Sequence, residues 1–242
     1  MKTAVVIPTY NEKENISFLL ECLLALPEVS HIVIADDNSP DGTGAEVERL
    51  SRLHPQIHLI KRPKKMGIGL AYQDGFRYAV AMDVDYIIQM DADLSHDPKY
   101  IPEFLEQAKK ADVVIGSRYI RGIHVVDWPF NRLVLSYIAN LFTRFIVGFK
   151  IRDWTSGFKC FRKEALKEIP FERTKADGYA FQIEMTEFCL RKKFIIKEIP
   201  IVFVNRSVGS SKMEDKIIRE AFFTVSRLGF ERLKISLHLM RS

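Results

Sequence analysis

Short apolar runs alternate along this chain with stretches whose apolar residues recur at helical spacing. Ala4 to Ile7 predicts a first strand, and Lys13 to Leu26, with Ile16, Leu19, Leu20, Leu23 and Leu24 on one face, predicts a helix. His31 to Ala35 predicts a second strand ending in Asp36 and Asp37, followed by a turn over Asn38 to Gly42, a helix over Gly44 to Leu53 and a third strand over Ile57 to Lys61. Gly67, Gly69 and Gly75 accompany a helical run through Ala81, after which Tyr86 to Met90 predicts a central strand and Asp112 to Gly116 another. Trp154 to Arg162 and Ile195 to Asn205 read as added strands and loops that complete a site. Such alternation calls for an α/β fold, a Rossmann-like, mostly parallel sheet flanked by helices.

Composition keeps this picture ordinary: 242 residues, 47% hydrophobic and 28% charged, suit one large α/β domain. Cys22, Cys160 and Cys189 are scattered, with neither a disulfide framework nor zinc-ligand spacing, which fits a reducing cytoplasmic setting. The apolar stretch before Pro8 is too short for a secretory signal. The longest apolar candidate, Leu133 to Phe149, is interrupted by Asn140 and Arg144, so no membrane span is expected. A net charge of +5 suits phosphates or an anionic membrane surface and falls short of a nucleic-acid-binding signature.

Three strand ends carry polar groups: Pro8 to Glu12, Asp36 to Ser39, and Asp91 to Ser95. Parallel strands end on one edge of their sheet, so these segments converge as a nucleotide pocket requires. No GxGxxG follows the first strand and no Walker A loop is present, which excludes the usual dinucleotide and P-loop signatures. Asp91 and Asp93 repel one another unless a cation or a hydrogen-bond network lies between them, and hard oxygen ligands suit Mg²⁺ or Mn²⁺ bridging to a diphosphate. Taken alone, the same triplet also reads as a solvated turn whose aspartates cap the segment after them.

The segments PTYNE, DDNSPDGT, DADLSH, GSRY, TSGFK and RSVGSSK, in that order over essentially the whole chain, resemble nucleotide-sugar glycosyltransferases of family 2 with the GT-A fold. More narrowly, they resemble the polyprenol-phosphate (dolichol-phosphate) mannose synthases, in the short form that carries only the catalytic domain. The resemblance implies that Pro8, Tyr10 and Glu12 contact the nucleoside, that Ala35 and Asp37 face base and ribose, and that Asp91, Ala92 and Asp93 hold the metal and diphosphate. Between Asp36 and Asp37 the choice rests on the family pattern. Ser95 either supports the metal or caps the helix introduced by His96, Asp97 and Pro98. Arg118 and Arg132 match acceptor-phosphate arginines, and Arg206 and Lys212 match diphosphate contacts in a Gly/Ser-rich loop suited to closing over the donor. The segment GYAFQIE, with Tyr179, Gln182 and Glu184, resembles one near the acceptor and sugar, where these side chains contact sugar hydroxyls or buttress the arginines.

The activity implied is inverting transfer of mannose from GDP-mannose to a polyprenyl (dolichyl-type) monophosphate, with a UDP-glucose or other UDP-sugar enzyme, or a non-catalytic scaffold of the same fold, as alternatives. Charge builds on the departing diphosphate, so a divalent ion and fixed cations stabilise the transition state. A phosphomonoester whose second pKa is about 6 is already largely dianionic and needs no protein base. The histidines His31, His54, His58, His96, His124 and His238 accordingly read as surface or packing residues. The expected layout is a catalytic domain over 1–212 and an amphipathic helical segment over 213–242. In that segment Ile217, Ile218, Ala221, Phe222, Val225 and Leu228 recur at helical spacing among basic residues. That segment and Leu133 to Phe149 read as core-packing helices or as peripheral contacts with the cytoplasmic face of a membrane, where a small membrane-protein partner is a further reading.

Overall fold

Seven strands form one sheet in the order β3-β2-β1-β4-β7-β5-β8 in the computed structural model, which describes residues 1–174, 176, 178–205 and 222–231. The elements run β1 (Thr3–Thr9), α1 (Lys13–Leu24), β2 (Val29–Asp36), α2 (Thr43–Leu53), β3 (Ile57–Lys61), α3 (Ile68–Ala81), β4 (Tyr86–Gln89), α4 (Ile101–Ala108) and β5 (Val113–Ser117). Then follow β6 (Val125–Val126), α5 (Phe130–Val147), β7 (Lys159–Arg162), α6 (Lys163–Glu168), α7 (Gly178–Arg191), β8 (Ile196–Pro200) and β9 (Phe203–Val204). Residues 222–231 are helical. Only β7 runs against its neighbours β4 and β5. β6 and β9 pair as a separate parallel ribbon.

The period-2 pattern of β1 fixes where the core lies. Val5 and Ile7 pack on one face with α1, α2 and α4, while Ala4 and Val6 pack on the other with α3 and α7. Every residue of β1 is buried, as expected of a strand paired on both sides in a parallel sheet. Gly75 lets α3 approach this strand closely, since a Cβ there would collide with the Val6 side chain. Pro8 sits within β1 rather than ending it. Val6 O accepts from Met90 N, so residues 6 and 8 turn their backbone groups toward β4, whose pairing stops at Val6. The missing N–H of Pro8 therefore breaks no ladder bond.

Helix α1 stops at Leu24, short of the expected Leu26, because Leu26 precedes Pro27, which disfavours helical backbone. Helix α5 begins at Phe130 behind Pro129 and so takes Arg132 into its first turn, where the sequence placed it just outside. Of that helix only Asn140, Thr143 and Val147 are buried. Phe130, Ile138, Phe145 and, just beyond it, Phe149 are exposed. The helix is therefore not an ordinary core helix. Residues 222–231 dock beside it through buried Val225 and Leu228 and a Phe142–Phe222 stack at 5.3 Å. The remainder of the C-terminal segment and its expected boundary at 212 lie outside the described residues.

Candidate active site

The loops after β1, β2 and β4 lie side by side, because those strands are neighbours and parallel. Each loop holds one non-glycine residue with left-handed backbone: Asn11 (φ 61°), Asn38 (φ 57°) and Leu94 (φ 62°). Asparagine tolerates this conformation, whereas for Leu94 it is strained by about 1 kcal/mol. The turn around Leu94 is held by Ser95, whose backbone N–H and Oγ both donate to Asp93 Oδ1, at 3.1 and 2.5 Å. Asp97, not Ser95, caps the following turn by accepting from Lys99 N. Ser95 thus buttresses an acidic residue.

These loops floor a cavity of about 420 Å³ walled further by α3, α7 and the segment before β7. Asp91 and Asp93 meet there. Tyr72 OH donates to Asp91 Oδ1 at 2.6 Å, and burial together with the Asp91 charge holds the Tyr72 pKa far above its ordinary value, so it remains a donor. His96 Nδ1 accepts the Asp91 backbone N–H at 3.0 Å. Burial lowers the His96 pKa, so its 4.0 Å approach to Asp91 Oδ2 is a contact with a neutral ring rather than an ion pair. Gly157 leaves room on the same side: a Cβ there would stand 3.2 Å from Asp91 Oδ2. No third His, Cys, Asp or Glu joins the aspartates among the described residues. A hard divalent ion that keeps open positions for phosphate oxygens and water fits such a two-carboxylate site.

Across the cavity Arg118 is fully buried and held in a fork by Asp153: Nε donates to Oδ2 at 2.7 Å and Nη2 to Oδ1 at 2.6 Å. Nη2 also reaches Thr155 Oγ1 at 2.7 Å. Burial opposes the Arg118 charge, but attraction to Asp153 outweighs it and raises the pKa. Nη1 has no hydrogen-bond partner among the described residues. Arg132 rests on Trp128, 4.2 Å from the ring centre, and donates to Asn205 Oδ1 at 2.8 Å. Beside Arg132 the cavity meets a second, nearly apolar groove of about 290 Å³ along α5, sharing Arg132, Thr155 and Tyr179 as a common wall.

Residues 4–170 match the family described as Glycosyl transferase family 2. This chain belongs to that family. Among curated relatives, the polyprenol monophosphomannose synthase of Mycolicibacterium smegmatis is 41% identical, over 94% of this chain and 87% of that protein. The undecaprenyl-phosphate mannosyltransferase of Micrococcus luteus is 39% identical, over 95% of this chain and 94% of that protein. A solved structure of glucosyl-3-phosphoglycerate synthase from Mycobacterium tuberculosis, in complex with Mn²⁺, uridine diphosphate and glucosyl-3-phosphoglycerate, aligns with a TM-score of 0.67. That alignment has 18% identity over 94% of this chain and 80% of that one, and it shows the fold alone. The mostly parallel, helix-flanked sheet is the GT-A arrangement that the motifs of this glycosyltransferase family implied.

Of the residues that the family pattern singles out, Pro8, Tyr10, Glu12, Asp37, Asp91, Ala92, Asp93, Arg118 and Arg132 all line the cavity. Lys65 lies over the Tyr10 ring at 4.0 Å. The Asp37 carboxylate is already engaged by Arg62 and by the backbone N–H groups of Met66 and Gly67. Asp36 turns inward to Thr9 and Ser39. Ala35 is fully enclosed in β2 between Pro8 and Ile60 and does not reach the cavity wall, because it precedes the strand end. Arg206 and Lys212 lie outside the described residues. Sequence reasoning missed His96 as a support of Asp91, Lys65, and Tyr72, whose place on α3 carried no motif. Asp153, which the resemblance set near the acceptor and sugar pocket, had no visible link to Arg118 until the fold joined them.

Proposed function

We propose that this family 2 glycosyltransferase transfers mannose from GDP-mannose to a polyprenyl monophosphate, with inversion, at the cytoplasmic face of a membrane. The observation that carries the reading is the shared wall: Arg132, Thr155 and Tyr179 border both the polar cavity with its acidic pair and the apolar groove along α5. A lipid phosphate needs such a junction, with cations for its head and apolar walls for the first units of its tail. The names of the two curated relatives support the same acceptor and sugar.

In this reading Asp91 and Asp93 hold Mg²⁺ or Mn²⁺, which when bound neutralises charge on the departing nucleoside diphosphate. Tyr72 and Ser95 fix the two carboxylates from behind. Arg118 and Arg132 place the acceptor phosphate, whose forked oxygens suit a guanidinium. One phosphate oxygen attacks the anomeric carbon as the bond to the diphosphate breaks, so an α-linked donor yields a β-linked product. No base is required, and the neutral His96 supplies none. The nucleoside end lies by Tyr10 and Asp37, and Arg206 and Lys212 act on the diphosphate. Exposed Phe130, Phe145 and Phe149 fit a peripheral contact with lipid, to which exposed Phe223 and Phe230 add. No helix among the described residues is long and apolar enough to cross a membrane.

The test is transfer to a short-chain polyprenyl phosphate with Mn²⁺ or Mg²⁺, comparing GDP-mannose with UDP-glucose and reading the product anomer by NMR. Transfer from GDP-mannose to give the β-anomer is expected. Transfer from the uridine donor alone overturns the sugar assignment, and none from either favours a scaffold. Asp93→Asn is expected to abolish metal-dependent turnover while the circular dichroism spectrum stays unchanged; retained turnover removes Asp93 from the metal site.

A further inference from the structure

The turn between β6 and α5 presents a group to which the proposed reaction gives no part. Asp127 takes left-handed backbone there (φ 58°), its carbonyl accepts from Asn205 Nδ2 at 3.0 Å, and Pro129 precedes the helix, so Trp128 is carried on a short, pinned connection. Its ring packs edge-on to Phe203 at 5.4 Å, and the Arg132 and Arg118 guanidinium groups lie over it, 4.2 and 5.6 Å from the ring centre. Trp128 also lines the apolar groove. Its Nε1 is enclosed and has no hydrogen-bond partner among the described residues, and the same holds for Arg132 Nε. Trp154 Nε1 is unmatched as well, but that side chain is wholly enclosed and lines neither the cavity nor the groove. A buried donor left unmatched is uncommon in a folded protein. Two of them, on residues in stacking contact at the wall of a groove, call for an acceptor that a ligand brings.

The surroundings select that ligand. An indole N–H is a single donor with no acceptor of its own. Beside it the groove is walled by Leu135, Ile138 and Phe142, which suit a hydrocarbon and offer the N–H nothing. The ligand must therefore be apolar along the groove and carry an acceptor oxygen at the end where Arg132 and Trp128 stand. A lipid phosphate has this form, whereas a nucleotide or a free sugar has no tail for the groove. Of the phosphate oxygens, the one that attacks the sugar must keep a lone pair for the anomeric carbon, which leaves the others for fixed donors. Resting on the acceptor reading above, we infer that Trp128 binds the lipid-borne phosphate, its Nε1–H donating to an oxygen other than the attacking one. The ring face meanwhile supports the Arg132 guanidinium beside the same phosphate.

The chain has two tryptophans, so a ¹⁵N-labelled sample gives two indole N–H resonances, which can be read without any sugar donor. Farnesyl phosphate is expected to move the Trp128 resonance downfield, farnesol to move it far less, and neither to move that of Trp154. Trp128→Phe supplies the assignment; it keeps an aromatic face for Arg132 and removes the donor. By calorimetry this variant is expected to lower the ratio of farnesyl phosphate affinity to farnesol affinity about 10- to 100-fold, the range of a hydrogen bond to a charged group. Trp128→Leu, which lacks the aromatic face as well, is expected to lower it further. A Trp128 resonance that phosphate and alcohol move alike, or equal losses of both ligands in Trp128→Phe, makes Trp128 a groove-packing residue and overturns the inference while the acceptor reading stands. If farnesyl phosphate binds the wild type no more tightly than farnesol, the acceptor reading falls and the inference falls with it. Neither measurement contains a nucleotide sugar, so a failure of the mannose assignment leaves the result for Trp128 intact. Should Trp128→Phe not fold, the wild-type spectrum decides, since one of its two indole resonances must then respond to the phosphate and not to the alcohol.

Discussion

Replacing Asp153 by asparagine tests how Arg118 is held. Asp153 is fully buried and its two oxygens take four bonds: Oδ2 accepts Arg118 N at 2.9 Å and Nε at 2.7 Å, while Oδ1 accepts Nη2 at 2.6 Å and Thr155 Oγ1 at 3.4 Å. Asparagine has one oxygen, so its NH₂ must face at least one Arg118 donor, and the enclosed guanidinium loses its counter-charge. Breaking a buried pair from one side costs about 3–5 kcal/mol. The Thr155 hydroxyl and the surviving amide oxygen still solvate the cation, which puts the loss near the lower end, at about 3 kcal/mol. For a chain of this size that corresponds to a Tm fall of roughly 6–12 °C. The assay is urea and thermal unfolding of wild type, Asp153→Asn, Arg118→Met and the double variant. In the double variant no buried cation remains, so most of the stability is expected back, with a coupling energy of about 2 kcal/mol or more. Transfer activity is not expected back, because Arg118 is gone. An Asp153→Asn protein melting within about 2 °C of wild type, or singles that add to the double within about 0.5 kcal/mol, refutes the argument.

Three further outcomes are accessible. Gly157→Ala puts a methyl 3.2 Å from Asp91 Oδ2 and is expected to lower kcat/KM on the order of tenfold with little change in Tm; unaltered kinetics would mean that the space beside Asp91 is not used. Phe145, 74% exposed on α5, is expected to insert into lipid, so Phe145→Ser should weaken co-sedimentation with anionic vesicles about tenfold while leaving the melting curve unchanged; equal sedimentation removes α5 from the contact. Burial pushes the Lys159 ammonium from 10.5 down to about 7. Between those values the unfolded chain binds more protons than the folded one, so this group makes stability rise with pH. The stability advantage of Lys159→Met over wild type is expected to shrink from about pH 6 to about pH 9, and a gap that stays constant refutes the assignment.

Local patterns carried much of the fold because its strands announce themselves. β3 falls on the expected residues, and β1, β2 and β4 differ from expectation by a residue or two at their ends. Helix ends were less legible, since they depended on Pro27 and Pro129 overriding apolar periodicity. The antiparallel insertion of β7 between β4 and β5 had no local sign at all: Lys159 to Arg162 has the same composition whichever way it runs. That insertion decides the site, because it carries Lys159 beneath the cavity and leads in from Asp153, Thr155 and Gly157. Motif reading therefore found many of the groups that line the cavity, though not Lys65, and of what holds them it named Ser95 and set Asp153 near the pocket without a partner; Tyr72 and His96, which act on Asp91 from 19 and 5 positions away in sequence, it overlooked.

The two arginines illustrate why a shared label hides different physics. Arg118 is enclosed, forked onto Asp153 and flanked by the Tyr119, Trp128 and Phe203 rings at 5.3 to 5.6 Å, so its position is set before any ligand arrives. Arg132 is only partly buried, bonded to a neutral amide and stacked on one ring, and its Nε is enclosed without a partner among the described residues. A cation fixed on both sides stabilises a charge that forms in one place, whereas a less tightly held one can shift to meet an arriving anion. Arg132 also borders the apolar groove, so under the proposed function it is the first cation that a phosphate arriving with its lipid would meet, with Arg118 beyond it in the cavity. On this arrangement Arg132→Ala should chiefly raise KM for the lipid and Arg118→Ala chiefly lower kcat, while equal effects of both on KM alone would show that the two share a single binding role.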